Sequence, residues 1–200
     1  MRTNVKSYTD SQLLERVEYI GGRIPNRGKY LIIGVQSQED APNLFDDKFY
    51  VYDGSIFKQV SSGTTNAGKT ALLHFDQYNL TGAAVWKTDQ WCPNLYKRGY
   101  HKASRADGGM RALRQQQPIW FYRDSDKDLN AEEVGTLHHK IIWANMHGVS
   151  YDPNSEITKE LINGWSFACQ AWNIMVDYRQ MINATWTRNK LVDYALLKEW

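Results

Sequence analysis

Two hundred residues with a 42% hydrophobic share suit one ordinary domain with its own core and exclude a disordered chain. A formal charge of +2 is too small to argue for nucleic acid, and two cysteines make neither a disulfide framework nor a zinc quartet. No stretch reaches the length of a membrane span and no signal-like apolar run opens the chain, so the expectation is a protein made in the cytoplasm, without a signal peptide and without membrane insertion.

Residues 1–8 are polar and read as loose. Thr9 and Asp10 precede Leu13, Leu14, Val17 and Ile20 at helical spacing, which predicts a short amphipathic helix stopped by Gly21 and Gly22. A basic, turn-rich loop follows, and residues 1–29 are expected to pack on the domain formed by 30–200. Tyr30 to Val35 reads as a buried strand, Lys48 to Tyr52 as a second and Ile56 to Val60 as a third, the last two joined by an Asp53-Gly54 hairpin turn. Ser61 to Gly68 is small and turn-forming, and Thr70 to Phe75 carries a weak strand pattern.

From Asp76 to Arg114 the periodicity is poor. The stretch is rich in Gly, Tyr, Trp and basic residues (Lys97, Arg98, Lys102, Arg105, Arg111, Arg114) and predicts either short unresolved strands or a lid beside a binding site. Pro118 to Arg123 is a clear strand and Asp124 to Glu133 an acidic loop. Lys140 to Met146 reads as the strand that delivers His147. Ile174 to Thr185 has a helical stripe, and Lys190 to Glu199 reads as a last strand. Strands dominate, with one helix near each end, so the class is a β-rich α+β fold.

His147 and Cys169 are the residues with chemistry to offer. Histidine is a general acid–base near neutral pH, and Gly148 beside it permits close approach of backbone or substrate. Cys169 follows a bend at Asn163 to Ser166 and precedes a helix. A thiol in such a bend meets backbone N–H groups that serve an oxyanion, and a nearby histidine can take its proton. The pair is allowed by the sequence and not demanded by it. Cys92 and Cys169 are free to pair, though nothing requires it.

The order of motifs around these residues resembles the L,D-transpeptidase catalytic domain, the YkuD-like fold. Met146-His147-Gly148 is similar to the family's strand ending in His-Gly, and Ser166-Phe167-Ala168-Cys169 stands where Ser/Thr-His-Gly-Cys is expected. Val60 to Gly68 looks like the upstream Ser-Thr-Gly loop. The likeness is closer to bacteriophage and prophage-type members, through Phe45 to Tyr50, Gly63-Thr64-Thr65, Tyr122-Arg123-Asp124, Asn145-Met146-His147 and Trp165 to Gln170. It covers roughly residues 30–200.

The resemblance implies a β-sandwich or barrel and acyl transfer on peptidoglycan stem peptides. Cys169 is then the nucleophile, His147 the base, Ser166 a positioning residue, and the N–H groups of Ala168 and Cys169 the oxyanion donors. Gly148, Trp165, Gln170 and His101 would line the substrate. No cofactor and no metal are implied. A phage context favours hydrolysis at the cell wall, possible partners being other virion proteins. The family's Gly is Ala168 here and its Arg is Gln170, which favours a second reading: a virion or baseplate component keeping the fold as a wall-binding module. Two further patterns are read as bland. Asp124, Asp126, Asp128, Asn130 and Glu132 alternate as in a calcium loop, yet lack its Gly and terminal Glu, so a solvated acidic loop is expected. His138 and His139 point to opposite faces of a strand and do not form a zinc site together.

Overall fold

Apolar residues run unbroken from Leu31 to Val35 in β1 (Leu31–Gln36), and every position of the strand is buried. Such a strand needs a partner surface on both faces. A computed structural model, which describes residues 5–102, 107–186 and 190–200, supplies both. One set of alternate residues, including Ile32, Phe49, Val51, Tyr194 and Leu196, faces an interior core. The other, Leu31, Ile33, Val35, Tyr50 and Leu197, faces an outer cluster that takes in Leu13 and Val17 of α1 (Asp10–Tyr19).

The interior belongs to a closed eight-stranded barrel. Its strands are β1, β2 (Asp47–Tyr52), β3 (Phe57–Thr64), β5 (Gln90–His101), β6 (Met110–Gln115), β9 (Met146–Gly148), β10 (Gln170–Trp172) and β11 (Leu191–Lys198), in the spatial order β1-β11-β5-β6-β9-β10-β3-β2. Pairs β1–β11 and β9–β10 are parallel, and the other neighbours are antiparallel. A barrel of this size is filled by its own side chains. Here Phe49, Tyr96, Trp172 and Tyr194 fill it. A second sheet orders β4 (Ala83–Trp86), β7 (Ile119–Asp124) and β8 (His138–Lys140). Among the described residues no helix is long and apolar enough to cross a membrane.

The expected β-rich α+β class is observed, with the first helix starting at Asp10. Its N-terminus is held by a reciprocal capping box between Thr9 and Gln12. Residues 5–8 are better anchored than their polarity suggested. Val5 is buried, and Tyr8 stacks on Trp200 with ring centroids 3.9 Å apart. Residues 1–4 lie outside the described residues, as does Arg105 of the basic segment.

Three local expectations need correction, and one left open between strands and a lid resolves to strands. Thr70 to Phe75 is not a strand but α2 (Lys69–His74) followed by a 3-10 turn, Phe75–Tyr78. Ala71, Leu72 and Phe75 are its buried residues, which is helical spacing. Ser61 to Thr64 is strand, because β3 extends to pair with β10 (Ala171 opposite Thr64, Trp172 opposite Gly63). The featureless stretch after Asp76 contains β4, the twelve-residue β5 and β6. Lys140 to Met146 is not one strand. The chain leaves the small sheet at Lys140 and joins the barrel at Met146, and the Gln115 side-chain carbonyl accepts the N–H groups of Ile142 and Ala144 between them. Finally, α3 (Met175–Thr185) follows β10, as expected of a helix after the cysteine loop.

Candidate active site

The parallel β9–β10 pair sets His147 opposite Ala171, which brings the histidine beside the cysteine loop. The loop itself is fixed at three points. Ser166 Oγ donates to the Cys169 carbonyl at 2.8 Å, the Ser166 carbonyl accepts from Gly68 N–H at 2.9 Å, and the Ala168 carbonyl accepts from the Trp86 indole N–H at 2.7 Å. Through Gly68 and the β3–β10 pairing, the upstream Gly63-Thr64-Thr65 stretch lies against the cysteine loop.

His147 is 1% exposed, and its Nδ1–H donates to the Gly148 carbonyl at 2.7 Å. A carbonyl only accepts, so this bond places the proton on Nδ1 and leaves the lone pair on Nε2. Nε2 is buried and has no hydrogen-bond partner. A ring nitrogen of His147, one of His101 and Cys169 Sγ lie within 4.8 Å of one another, the one group of three metal- or proton-binding side chains that close among the described residues. The two imidazoles stack, with centroids 4.2 Å apart and 30° between planes.

Asn145 organises this cluster. Its Oδ1 accepts from Gln115 N–H at 3.1 Å, which turns its amide N–H toward His101 Nδ1 at 3.3 Å. Its backbone carbonyl accepts from Gln170 N–H at 3.0 Å, binding β9 to the end of the cysteine loop. Asn145 and Gln115 were not singled out from the sequence. The signal was present in Asn145-Met146-His147, since residues two apart on a strand share a face. Trp143 completes the rim. It is 60% exposed with φ of 59°, its carbonyl lies 3.9 Å from the Cys169 thiol, and Arg114 sits over its ring.

Burial governs the electrostatics. Desolvation holds His147 down at about 4, against the opposing bond to Gly148, and holds His101 down at about 3. Desolvation likewise pushes the Cys169 thiol up to about 11, although the Asn145 backbone and the Lys102 charge pull the other way. The resting pair is therefore a neutral thiol beside a neutral imidazole. Cys92 is buried elsewhere, and both cysteines are free.

The remaining site residues separate into two groups. His101 joins the cluster, and the N–H groups of Ala168 and Cys169 donate no hydrogen bond among the described residues. Ala168 has no positive φ, so its backbone conformation suits alanine. Ser166 steadies the loop, and its hydroxyl bonds to the Cys169 carbonyl and, among the described residues, to neither histidine. Gln170 points inward. It is fully buried, accepts from Tyr194 Oη at 2.5 Å and donates to the Thr65 carbonyl, so it braces the barrel instead of facing a substrate. Gly148 is also inward: a Cβ there would lie 2.6 Å from Met175 Sδ and 2.7 Å from the Tyr178 ring. Its lack of a side chain serves the packing of α3. Trp165 is half-buried near Tyr151 and Lys159.

A cavity of about 670 Å³ opens beside α3, lined by Tyr100, Arg111, Tyr151, Tyr178 and Trp186 among others. None of the three cluster residues lines it. Gly148 faces α3 and its neighbour His147 points to the other face of β9, so the cavity and the cluster lie on opposite sides of that strand. In the acidic loop, Asp124, Asp126 and Asp128 accept hydrogen bonds from backbone N–H groups two residues on. His138 stacks on Phe121 and His139 on Trp120, on opposite faces of β8.

Comparison of the chain with protein-family models, with curated proteins and with solved structures finds no match.

Proposed function

We propose that the chain is a cysteine-dependent peptidase of the L,D-transpeptidase type, acting on peptidoglycan stem peptides at the cell wall. The observation that carries this reading is the tautomer of His147. Gly148 holds the proton on Nδ1 and leaves Nε2 unpartnered on an imidazole that has a ring nitrogen within 4.8 Å of the Cys169 thiol. A general base needs an oriented lone pair that nothing else occupies, and Nε2 has one; at rest it makes no hydrogen bond to the thiol, so that contact forms when substrate binds.

On this reading Nε2 takes the thiol proton as Sγ attacks the scissile carbonyl. The carbonyl π electrons move onto oxygen, and the N–H groups of Ala168 and Cys169 accept that charge. Collapse expels the amine half of the stem peptide, which takes the proton from His147 and leaves a thioester on Cys169. Water, deprotonated by the same Nε2, then releases the acid. The neutral resting pair means that proton transfer accompanies attack, with no standing thiolate. Beyond burial, the charge of Lys102 lowers both histidines and that of Arg114 lowers His101, so the mouth of the site carries a positive field that suits the free carboxylates of stem peptides.

Purified sacculi incubated with wild type and with Cys169→Ala test the reading. Wild type is expected to release muropeptides and the variant none; equal release from both would sink it. Burial of the thiol and the inward turn of Gln170 favour the second reading, a wall-binding or virion structural module. That reading expects sacculus retention by wild type and Cys169→Ala alike, with no turnover by either.

A further inference from the structure

We propose that His101, His147 and Cys169 form a binding site for a borderline-soft divalent cation of the zinc class. Two imidazoles and one thiol gather their donor atoms within 4.8 Å, without any carboxylate in the group. Nitrogen and sulfur donors select zinc-like ions, whereas magnesium and calcium need oxygen. The second, independent observation is the His147 ring. It is 1% exposed, and its Nε2 is an orphaned lone pair inside the protein. A buried polar atom left without a partner is costly, and a metal ion satisfies it directly.

The geometry is close to what such an ion requires. Tetrahedral zinc with nitrogen and thiolate ligands sets its donor atoms about 3.4–3.8 Å apart, from the usual bond lengths. Closing the group from its present spread takes about 1 Å, within reach of ring rotations about Cβ–Cγ. His147 is already in the right tautomer, with its other nitrogen held by a carbonyl, the arrangement that orients metal-bound histidines. His101 keeps its Nδ1 lone pair under a long 3.3 Å bond from Asn145, which is readily given up. Three protein ligands leave a fourth position for water. Binding is balanced by release of one proton: the thiol and the dication become a zinc thiolate and a solvent proton.

Binding stands on this geometry alone. Its consequence rests on the peptidase reading: the bound ion takes the only lone pair of His147 Nε2, the general base, and draws charge from the Cys169 sulfur, so it is a reversible inhibitor.

Cobalt(II) chloride alone is the probe. Titration into wild-type protein is expected to give thiolate-to-cobalt charge-transfer absorption at one equivalent, and zinc chloride is expected to displace it and raise the melting temperature. Cys169→Ser should lose the band, and His101→Gln should weaken binding at least roughly tenfold. Each variant's metal-free melting curve is taken first, so that loss of binding is scored only in folded protein. His138→Gln/His139→Gln should bind as wild type does. Absence of the band in wild type, its persistence in Cys169→Ser, or its loss in the His138/His139 variant would each overturn the proposal. Muropeptide release is measured separately in chelator. Release without cobalt binding overturns the metal site and leaves the peptidase reading standing; cobalt binding without release does the reverse.

Discussion

Ala168 is the residue where the chain departs from the pattern its chemistry resembles, and its backbone removes the concern. The left-handed region that favours glycine is not used there, so alanine carries no strain. Ala168→Gly should therefore bring no benefit. It removes a buried methyl and adds backbone freedom to the unfolded chain, which should cost about 0.5–1 kcal/mol in urea denaturation. Muropeptide release should not rise. A more stable or more active glycine variant would mean that the loop in solution adopts another conformation. The Cys169–His147 pair was readable from residue type, order and the glycine between them. The side-chain direction of Gln170 and Gly148 was not. Both sit on short barrel strands whose inward and outward faces depend on register, and register is set by partners far away in the chain. His101 was placed near the site only by the resemblance, and the stacking that brings it against His147 has no local signal.

Among the elements, those with strong local chemistry were readable: α1 with its cap, the β2–β3 hairpin at Asp53-Gly54, β7, α3 and β11. The long β5 was not, because Pro93 and the positive φ of Asn94 break its alternation, and the ladder to β11 shifts register nearby. The Lys140 to Met146 strand failed for a different reason. Its residues have strand propensity, but Gln115 offers them a side-chain acceptor, and the chain changes sheets. This division makes Trp86 a coupling residue. It ends β4 of the small sheet, packs edge-on against Tyr194 inside the barrel and donates to the Ala168 carbonyl. Trp86→Phe keeps most of the apolar volume and deletes the donor, leaving a buried carbonyl unpaired. The expected cost is about 1–3 kcal/mol, with faster alkylation of Cys169 as its loop loosens. Unchanged stability and unchanged alkylation would show that the small sheet does not hold the cysteine loop.

At the scale of the whole molecule, burial of titratable groups sets the pH limits of the fold. Desolvation pushes Cys92 and Tyr50 up to about 12 and Cys169 up to about 11, and it also raises Tyr96, Tyr178 and Tyr194. In the unfolded chain thiols titrate near about 8.5 and phenols near about 10. Between those values and the native ones the folded state holds more protons, so stability is complete below about pH 8.5 and is lost as pH rises toward 11 or 12. Lys48, lowered by partial burial, opposes this weakly. On the acid side two sets of groups compete. His147, held at about 4, contributes stability that is present above about pH 6.5 and lost as pH falls; His101, at about 3, adds to it. Burial raises Asp40 to about 6 and raises Asp46 and Asp47 as well, so these carboxyls lose stability as pH rises, the opposite sign. Urea midpoints for wild type should therefore change little between pH 7 and 5 and fall steeply above pH 9. Asp40→Asn removes one opposing group, so acidification from pH 7 to 5 should then lower stability by more than in wild type, each buried histidine contributing a loss of about 2 kcal/mol against the remaining offset of Asp46 and Asp47. An acid limb that is the same in Asp40→Asn and in Asp40→Asn/His147→Gln would mean that burial does not hold His147 below its unfolded value.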